Sequence, residues 1–412
     1  MNLSTSTYLI PPIPKEIDRR IVAAFLFIAI FVLSIGFRQR EIGDTSLDFQ
    51  NGFKLITWIS IFLISLLYFK EIANLFHSLA GSALLILAGL ALISSLWSDV
   101  QLYSFASALG FAAYLGLAAL SAQYLNDDAF FRLTQRSLLL FVLIGLIGSI
   151  FFPQVTWQEP SVEETVFRLQ GFASNSNNFG RISAILILLG LGSFKLSYTP
   201  KIEFLLSFFV GVSGLLLSGC RTGLIAAICA CFLVSLRYYQ FSRLILGSIF
   251  IVFPFAMVAF AYGFDINLLF KAISRTGLES EIFTLTGRTE IWSSALDLIR
   301  QHPLLGWGYN GTEERLALSM EEAFNGSPVN AHQMFLQLIL GFGVIGLIPA
   351  ILLFLSRLRY VFVDPNPLRD LISGFIFLNG ITEVDLFATP LLTNIIFFRI
   401  LLTDHLAMKE FR

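Results

Sequence analysis

Apolar runs of membrane length, separated by short polar connectors, set the pattern of this 412-residue chain. A spanning helix needs about 20 mostly apolar residues. Twelve runs reach or approach that length: 20–37, 53–69, 76–97, 103–124, 136–152, 180–196, 202–219, 222–237, 243–263, 333–356, 368–384 and 387–404. The seventh and eighth are nearly continuous. Ser218, Gly219, Cys220 and Arg221 split them, which predicts a tight re-entry with an arginine at its tip. The last two are split around Glu383, Asp385 and Pro390. The pattern predicts an all-α polytopic membrane protein of about 12 transmembrane helices, with residues 1–412 as a single transmembrane domain.

One stretch departs from the pattern. Residues 264–332 form a large loop between the ninth and tenth predicted helices, too short to build an independent core of much size. Inside it, Arg288 to Gln301 reads as an amphipathic helix, because Ile291, Trp292, Ala295, Leu298 and Ile299 fall on one broad face. His302-Pro303 ends it. Gly306-Trp307-Gly308-Tyr309 follows as a turn suited to a membrane interface. Residues 313–324 predict a second short helix, ended by Asn325-Gly326. The expected picture is two short interfacial helices lying over a helical bundle.

Composition agrees with a membrane protein. The chain is 56% hydrophobic and 13% charged, with a mean hydropathy of +0.77, whereas soluble domains carry roughly 25% charged residues. The net charge of −1 gives nucleic acid no natural purchase. Cys220, Cys229 and Cys231 lie in or beside apolar runs, with no metal or disulfide spacing. The first run follows Lys15 to Arg20, has no small-residue cleavage site and is followed by further spans, so it reads as a retained helix. No phosphate loop is present, so ATP is not an evident energy source.

Orientation follows from the basic residues. With both termini in the cytoplasm, Lys15, Arg19, Arg20, Lys70, Arg132, Arg136, Lys195, Lys201, Arg237, Arg243, Arg357, Arg359, Arg369, Lys409 and Arg412 all face inward. Three segments then share the outward face: residues 153–179 with Arg168 and an Asn/Ser cluster, the turn at Arg221, and residues 264–332.

These segments hold the candidate chemistry. A cation at membrane depth costs about 3 kcal/mol on insertion scales and usually faces a cavity or partner. Arg221 therefore suggests an anion site, to which the start of the eighth run adds its helix N-terminus; an interfacial arginine reaching for head groups is the competing reading. Arg288 opens a predicted helix, and its planar fork suits a diphosphate better than lysine would; the alternative is a solvated loop charge. Of the four histidines, His332 alone faces outward at the mouth of the bundle, where an imidazole can accept a hydroxyl proton near neutral pH. Elsewhere, His77 and His405 lie inward, and His302 reads as part of a helix stop. Glu383 and Asp385, one residue apart, would suit a divalent cation, or would partner the arginines instead. Asp99 poses the same choice. No histidine or cysteine spacing suggests zinc.

Several stretches resemble the O-antigen ligase-like superfamily of bacterial membrane glycosyltransferases. They are LeuSerGlyCysArgThrGly (217–223), GlyArgThrGluIleTrp (287–292), HisProLeuLeuGlyTrpGly (302–308) and AlaHisGln (331–333) with Gly343 and Gly346 downstream. ArgLeuGlnGlyPheAlaSerAsnSerAsnAsn (168–178) and TrpSerAsp (97–99) resemble further outward elements. Gln333 stands where that histidine motif commonly has asparagine. The resemblance covers most of 97–394 in order.

The resemblance implies a GT-C-like fold in the bacterial cytoplasmic (inner) membrane. It implies metal-independent, inverting transfer of a glycan from a polyprenyl diphosphate carrier to an acceptor sugar hydroxyl, on the outer face and without a cofactor. His332 would be the base, and Arg221 and Arg288 would bind the diphosphate. Arg168, Asn178, Glu290 and Trp292, which lie in the resembling stretches, and Glu383, from the acidic pair, would be supporting residues. A ligase would use a lipid A core sugar as acceptor; a polymerase of O-antigen or exopolysaccharide would use another lipid-linked repeat. The histidine motif fits ligases slightly better. A transporter or flippase for a lipid-linked sugar is the alternative from another class, but no internal repeat supports it.

Overall fold

The computed structural model describes residues 16–36, 49–159, 167–238, 288–319, 330–388 and 391–410. The predicted ninth span, 243–263, and parts of the large loop, 264–287 and 320–329, lie outside the described residues. The other predicted runs each overlap a helix: Glu16–Ser34, Phe49–Leu67, Leu79–Ser94, Gln101–Tyr124, Asp127–Phe151, Ser176–Lys195, Lys201–Ser218, Arg221–Arg237, Met334–Val363, Pro367–Asn379 and Leu392–Glu410, although Pro367–Asn379 has only 13 residues and stops short of the predicted run 368–384. Among the described residues, 6 of these are long and apolar enough to cross a membrane. A bent pair, Phe69–His77 and Leu79–Ser94, makes up to 7 if it is one span, broken by 112°.

Local chemistry sets the boundaries. Ser78, Asn126, Asn175 and Asn366 each cap the helix that follows, accepting from backbone N–H groups of its first turn. Gly219, left-handed at φ 60°, ends Lys201–Ser218. The helices at the centre are Gln101–Tyr124 and Ser176–Lys195, each with 78% of its most apolar stretch buried, whereas Phe49–Leu67 has 11% and forms the periphery. Aromatic side chains such as Phe111, Tyr114, Phe141, Phe179 and Phe375 fill the core.

Two features depart from the sequence reading. The connector before Ser176 is not wholly irregular: Trp157–Gln158 and Arg168–Leu169 pair as a two-stranded antiparallel ribbon. The tenth predicted run is not one smooth helix either. Met334–Val363 is broken at Gly343 (φ 63°, ψ −165°), and the glycine turn fills the break. Trp307 N–H donates to the Leu340 carbonyl at 2.9 Å and Gly308 N–H to that of Gly341 at 3.0 Å. In return Val344 N–H donates to the Pro303 carbonyl at 2.9 Å. A Cβ on Gly306 would lie 2.6 Å from the Gly341 carbonyl carbon, and one on Gly343 would strike the Leu304 carbonyl. Backbone groups freed at a break need such partners wherever water is excluded.

Two polar clusters lie at opposite ends of shared helices. At one end, Arg357, Arg369 and Arg399 pair with Asp127, Asp370 and Asp404, all of them buried or nearly so. Tyr238, just after Arg221–Arg237, donates to Asp370 at 2.6 Å. The other ends of Arg221–Arg237 and Pro367–Asn379 carry the second cluster.

Candidate active site

His332 sits in a strained link between two elements. Its φ is 45°, a left-handed value rare for a side-chain-bearing residue. Neighbours on both sides hold it there. His332 N–H donates to Asn330 Oδ1 at 2.9 Å. Ala331 N–H donates to Gln337 Oε1 at 2.9 Å, and Gln337 Nε2 donates to Thr312 Oγ1 at 3.2 Å. On the other side, Met334 N–H donates to the Gly380 carbonyl at 2.9 Å. Ala331 is itself buried with Ile291, Ala295, Leu298, Leu316 and Leu340. The predicted apolar face of Arg288–Gln301 thus packs a small cap, joined by the short helix Glu313–Leu318, onto the start of Met334–Val363.

Glu383 is the centre of the cluster. Arg288 Nη2 lies 2.5 Å from Glu383 Oε1, and His332 Nδ1 lies 3.5 Å from Glu383 Oε2. One carboxylate therefore faces both the arginine that opens the cap helix and the histidine. Burial pushes the Glu383 pKa up, but contact with His332 and the charges of Arg288 and Arg181 outweigh it and bring the value down to about 2. Glu383 is ionised at neutral pH. Of the two readings of Glu383 and Asp385, the side chains adopt the one in which each faces its own arginine. Asp385 accepts from Arg181 Nη1 at 2.6 Å and from Asn379 Nδ2 at 2.7 Å.

The turn that carries Arg221 borders this cluster. Arg221 is half-buried and is the first residue of its helix, where free backbone N–H groups gather. The preceding Cys220 is buried and stands close enough to Glu383 and Arg181 to feel both charges. Gly180 packs so tightly on this turn that a Cβ there would strike Ser218 and Cys220. Arg168, buried at the end of the ribbon, braces the turn from the other side. Its Nε donates to the Ser218 carbonyl at 3.0 Å and its Nη2 to Asn177 Oδ1. Asn178 accepts from Arg181 and donates to Ser174.

The structure thus brings together Arg168, Asn178, Arg288, His332, Glu383 and the Arg221 turn. It does not draw in every residue of the Arg288 motif. Glu290 is exposed. Trp292 is half-buried, its indole N–H enclosed and without a hydrogen-bond partner among the described residues. Asp99 pairs with Arg315 at 2.7 Å, and Arg315 lies over the Trp307 ring, which His302 flanks. That contact pins the cap to the loop after Leu79–Ser94 and lowers the Asp99 pKa through the hydrogen bond from Arg315.

Sequence reasoning missed Arg181 and Gln337. Arg181 had a legible signal, an ionisable side chain just inside an apolar run. Gln337 had none beyond being a polar residue in the tenth run.

Residues 205–351 match a protein family described as O-Antigen ligase. The matched segment contains Arg221, Arg288, the glycine turn and His332, whereas Arg168, Arg181 and Glu383 lie outside it. No curated protein matches the chain.

Proposed function

We propose, taking the O-antigen ligase-like superfamily supported by that match as the premise, that this membrane protein transfers a glycan from a polyprenyl diphosphate carrier to an acceptor sugar hydroxyl. The observation that carries the reading is the single carboxylate of Glu383 shared by Arg288 and His332. With Nδ1 turned to Glu383, the imidazole leaves Nε2 to take the proton of the acceptor hydroxyl, and the ionised carboxylate stabilises the imidazolium that forms. The acceptor oxygen then bonds to the anomeric carbon as the bond from that carbon to the diphosphate oxygen breaks. The electron pair leaves with the diphosphate, and attack opposite the leaving group inverts the anomeric centre.

Charge on the departing diphosphate falls to Arg221 and Arg288. Arg288 keeps N–H donors beyond the one directed at Glu383, and the helix N-terminus at Arg221 adds backbone donors. Positive groups fixed before the reaction stabilise the leaving charge most. The donor ester already holds the energy, so neither ATP nor a metal is part of this reading.

The reading puts this cluster on the periplasmic face and the Arg357–Asp404 network with both termini on the cytoplasmic side, as the basic residues dictate. It takes the ligase form, with a lipid A core sugar as acceptor. The test mixes the purified protein with lipid-linked repeats, with and without lipid A core. A product on the core supports the ligase form; a ladder of longer lipid-linked chains made without any core replaces it with a polymerase.

A further inference from the structure

Arg181 lies outside the matched family segment, and no step above uses it. Yet its charged side chain is buried in the bundle, between the Arg221 turn and the segment that carries Glu383. Nη1 reaches Asp385 Oδ1 at 2.6 Å and the Val384 carbonyl at 3.3 Å, so one guanidinium grips the two residues that follow Glu383. Nη2 donates to Asn178 Oδ1. On its other side the Arg181 backbone lies against the Arg221 turn: a Cβ on Gly223 would stand 3.8 Å from Arg181 Cα. Asp385 is held in turn by Asn379, and its carbonyl accepts from Thr393.

We propose that Arg181 is a positioning residue of the transfer reaction, clamping the 383–385 segment against the Arg221 turn and so fixing the Glu383 carboxylate between His332 and Arg288. The inference rests on the glycosyl-transfer reading of that site. Arg181 touches no substrate in this account. It sets the distance between the group that activates the acceptor and the groups that bind the diphosphate. Displacing such groups by about 1 Å costs on the order of a hundredfold in rate. Among the described residues, His332, Arg288 and Arg181 itself act on the Glu383 carboxylate, with Asp385 and Cys220 beyond and the Arg221 turn alongside.

The test uses the full chain in membranes of its own host, from which the native copy has been deleted. Transfer is followed as product formed on the natural acceptor, and farnesyl diphosphate serves as the probe of diphosphate binding. Arg181→Met with Asp385→Asn removes both buried charges together and leaves neither uncompensated. The expected result is a loss of about a hundredfold in transfer with farnesyl diphosphate binding within a few-fold of the parent, so that rate and binding part company. Arg181→Lys, which keeps the charge but not the fork, recovers part of the rate.

Transfer at the parental rate in a folded double variant overturns the proposal. Rate and probe binding falling together also overturn it, because Arg181 would then be a structural residue only. His332→Ala in the same membranes separates the two levels. If it is inactive while the double variant is active, only the positioning role is lost; if it is active, the transfer reading itself is lost.

Discussion

Glu383 gathers more of the site than any other residue, and it carries a pH signature. Its pKa is depressed from an ordinary 4.5 to about 2. A depressed carboxylate contributes stability that is fully present above the ordinary value and is lost as pH falls toward the depressed one. Thermal stability in detergent should therefore fall between pH 4.5 and about 2 in the parent and fall less in Glu383→Gln, which has no charge to lose; equal slopes would remove Glu383 from the ionised cluster. Arg288→Gln and Arg221→Gln should each lower transfer and weaken farnesyl diphosphate binding, since each deletes a charge-assisted donor. Unchanged probe binding in both would move the diphosphate elsewhere. Arg221 and His332 were legible in the sequence because each is a costly or rare residue at the end of an apolar run, and Arg288 because it opens an amphipathic helix. Arg181 showed only as a charge inside an apolar run, and its partner Asp385 lies some two hundred residues away, so only the fold brings them together; Gln337, which ties Ala331 to Thr312, gave no signal beyond its polarity.

At the scale of elements, the cap and the broken helix explain why His332 is held in a strained conformation. The glycine turn 302–308 plugs the break at Gly343, and Gln337 and Met334 N–H fix the two sides of residue 332. Gly343→Ala introduces a Cβ into the Leu304 carbonyl at a positive φ. Strain of this kind costs about 1–3 kcal/mol, and a lowered unfolding midpoint together with reduced transfer should report it. A variant with parental stability would contradict the interlock. The sequence announced the glycine turn and the amphipathic helix Arg288–Gln301, since spacing and breakers are local signals. The break itself was hidden: Gly343 lies in an unbroken apolar run, and only pairing with a segment some forty residues earlier opens it. The two-stranded ribbon was missed for a similar reason, as strands of two residues leave no periodicity to read.

Across the whole molecule, the described residues place a charge cluster at each end of the helices Arg221–Arg237 and Pro367–Asn379. The Arg357, Arg369 and Arg399 network joins the end of Met334–Val363 to Pro367–Asn379, Leu392–Glu410 and Asp127. Arg357→Met strands Asp370 and Asp404 without one of their cations, and breaking a buried pair in this way costs about 3–5 kcal/mol. Unfolding in detergent should show that loss, while the folded fraction keeps its transfer rate, because the network stands away from the site. The all-helical character was legible from hydropathy alone, since each of the 6 candidate spans among the described residues overlaps an apolar run. What ties the spans together was not, because ion pairs between helices distant in sequence leave no local pattern. The most direct measurement of the central claim is transfer by host membranes carrying either the parent chain or His332→Ala, with polyprenyl diphosphate-linked glycan as donor and no nucleotide added. The parent should build the acceptor-linked product, and His332→Ala should lose on the order of 10²–10⁴-fold in rate while still binding farnesyl diphosphate. Product formed by His332→Ala at the parental rate would contradict the account.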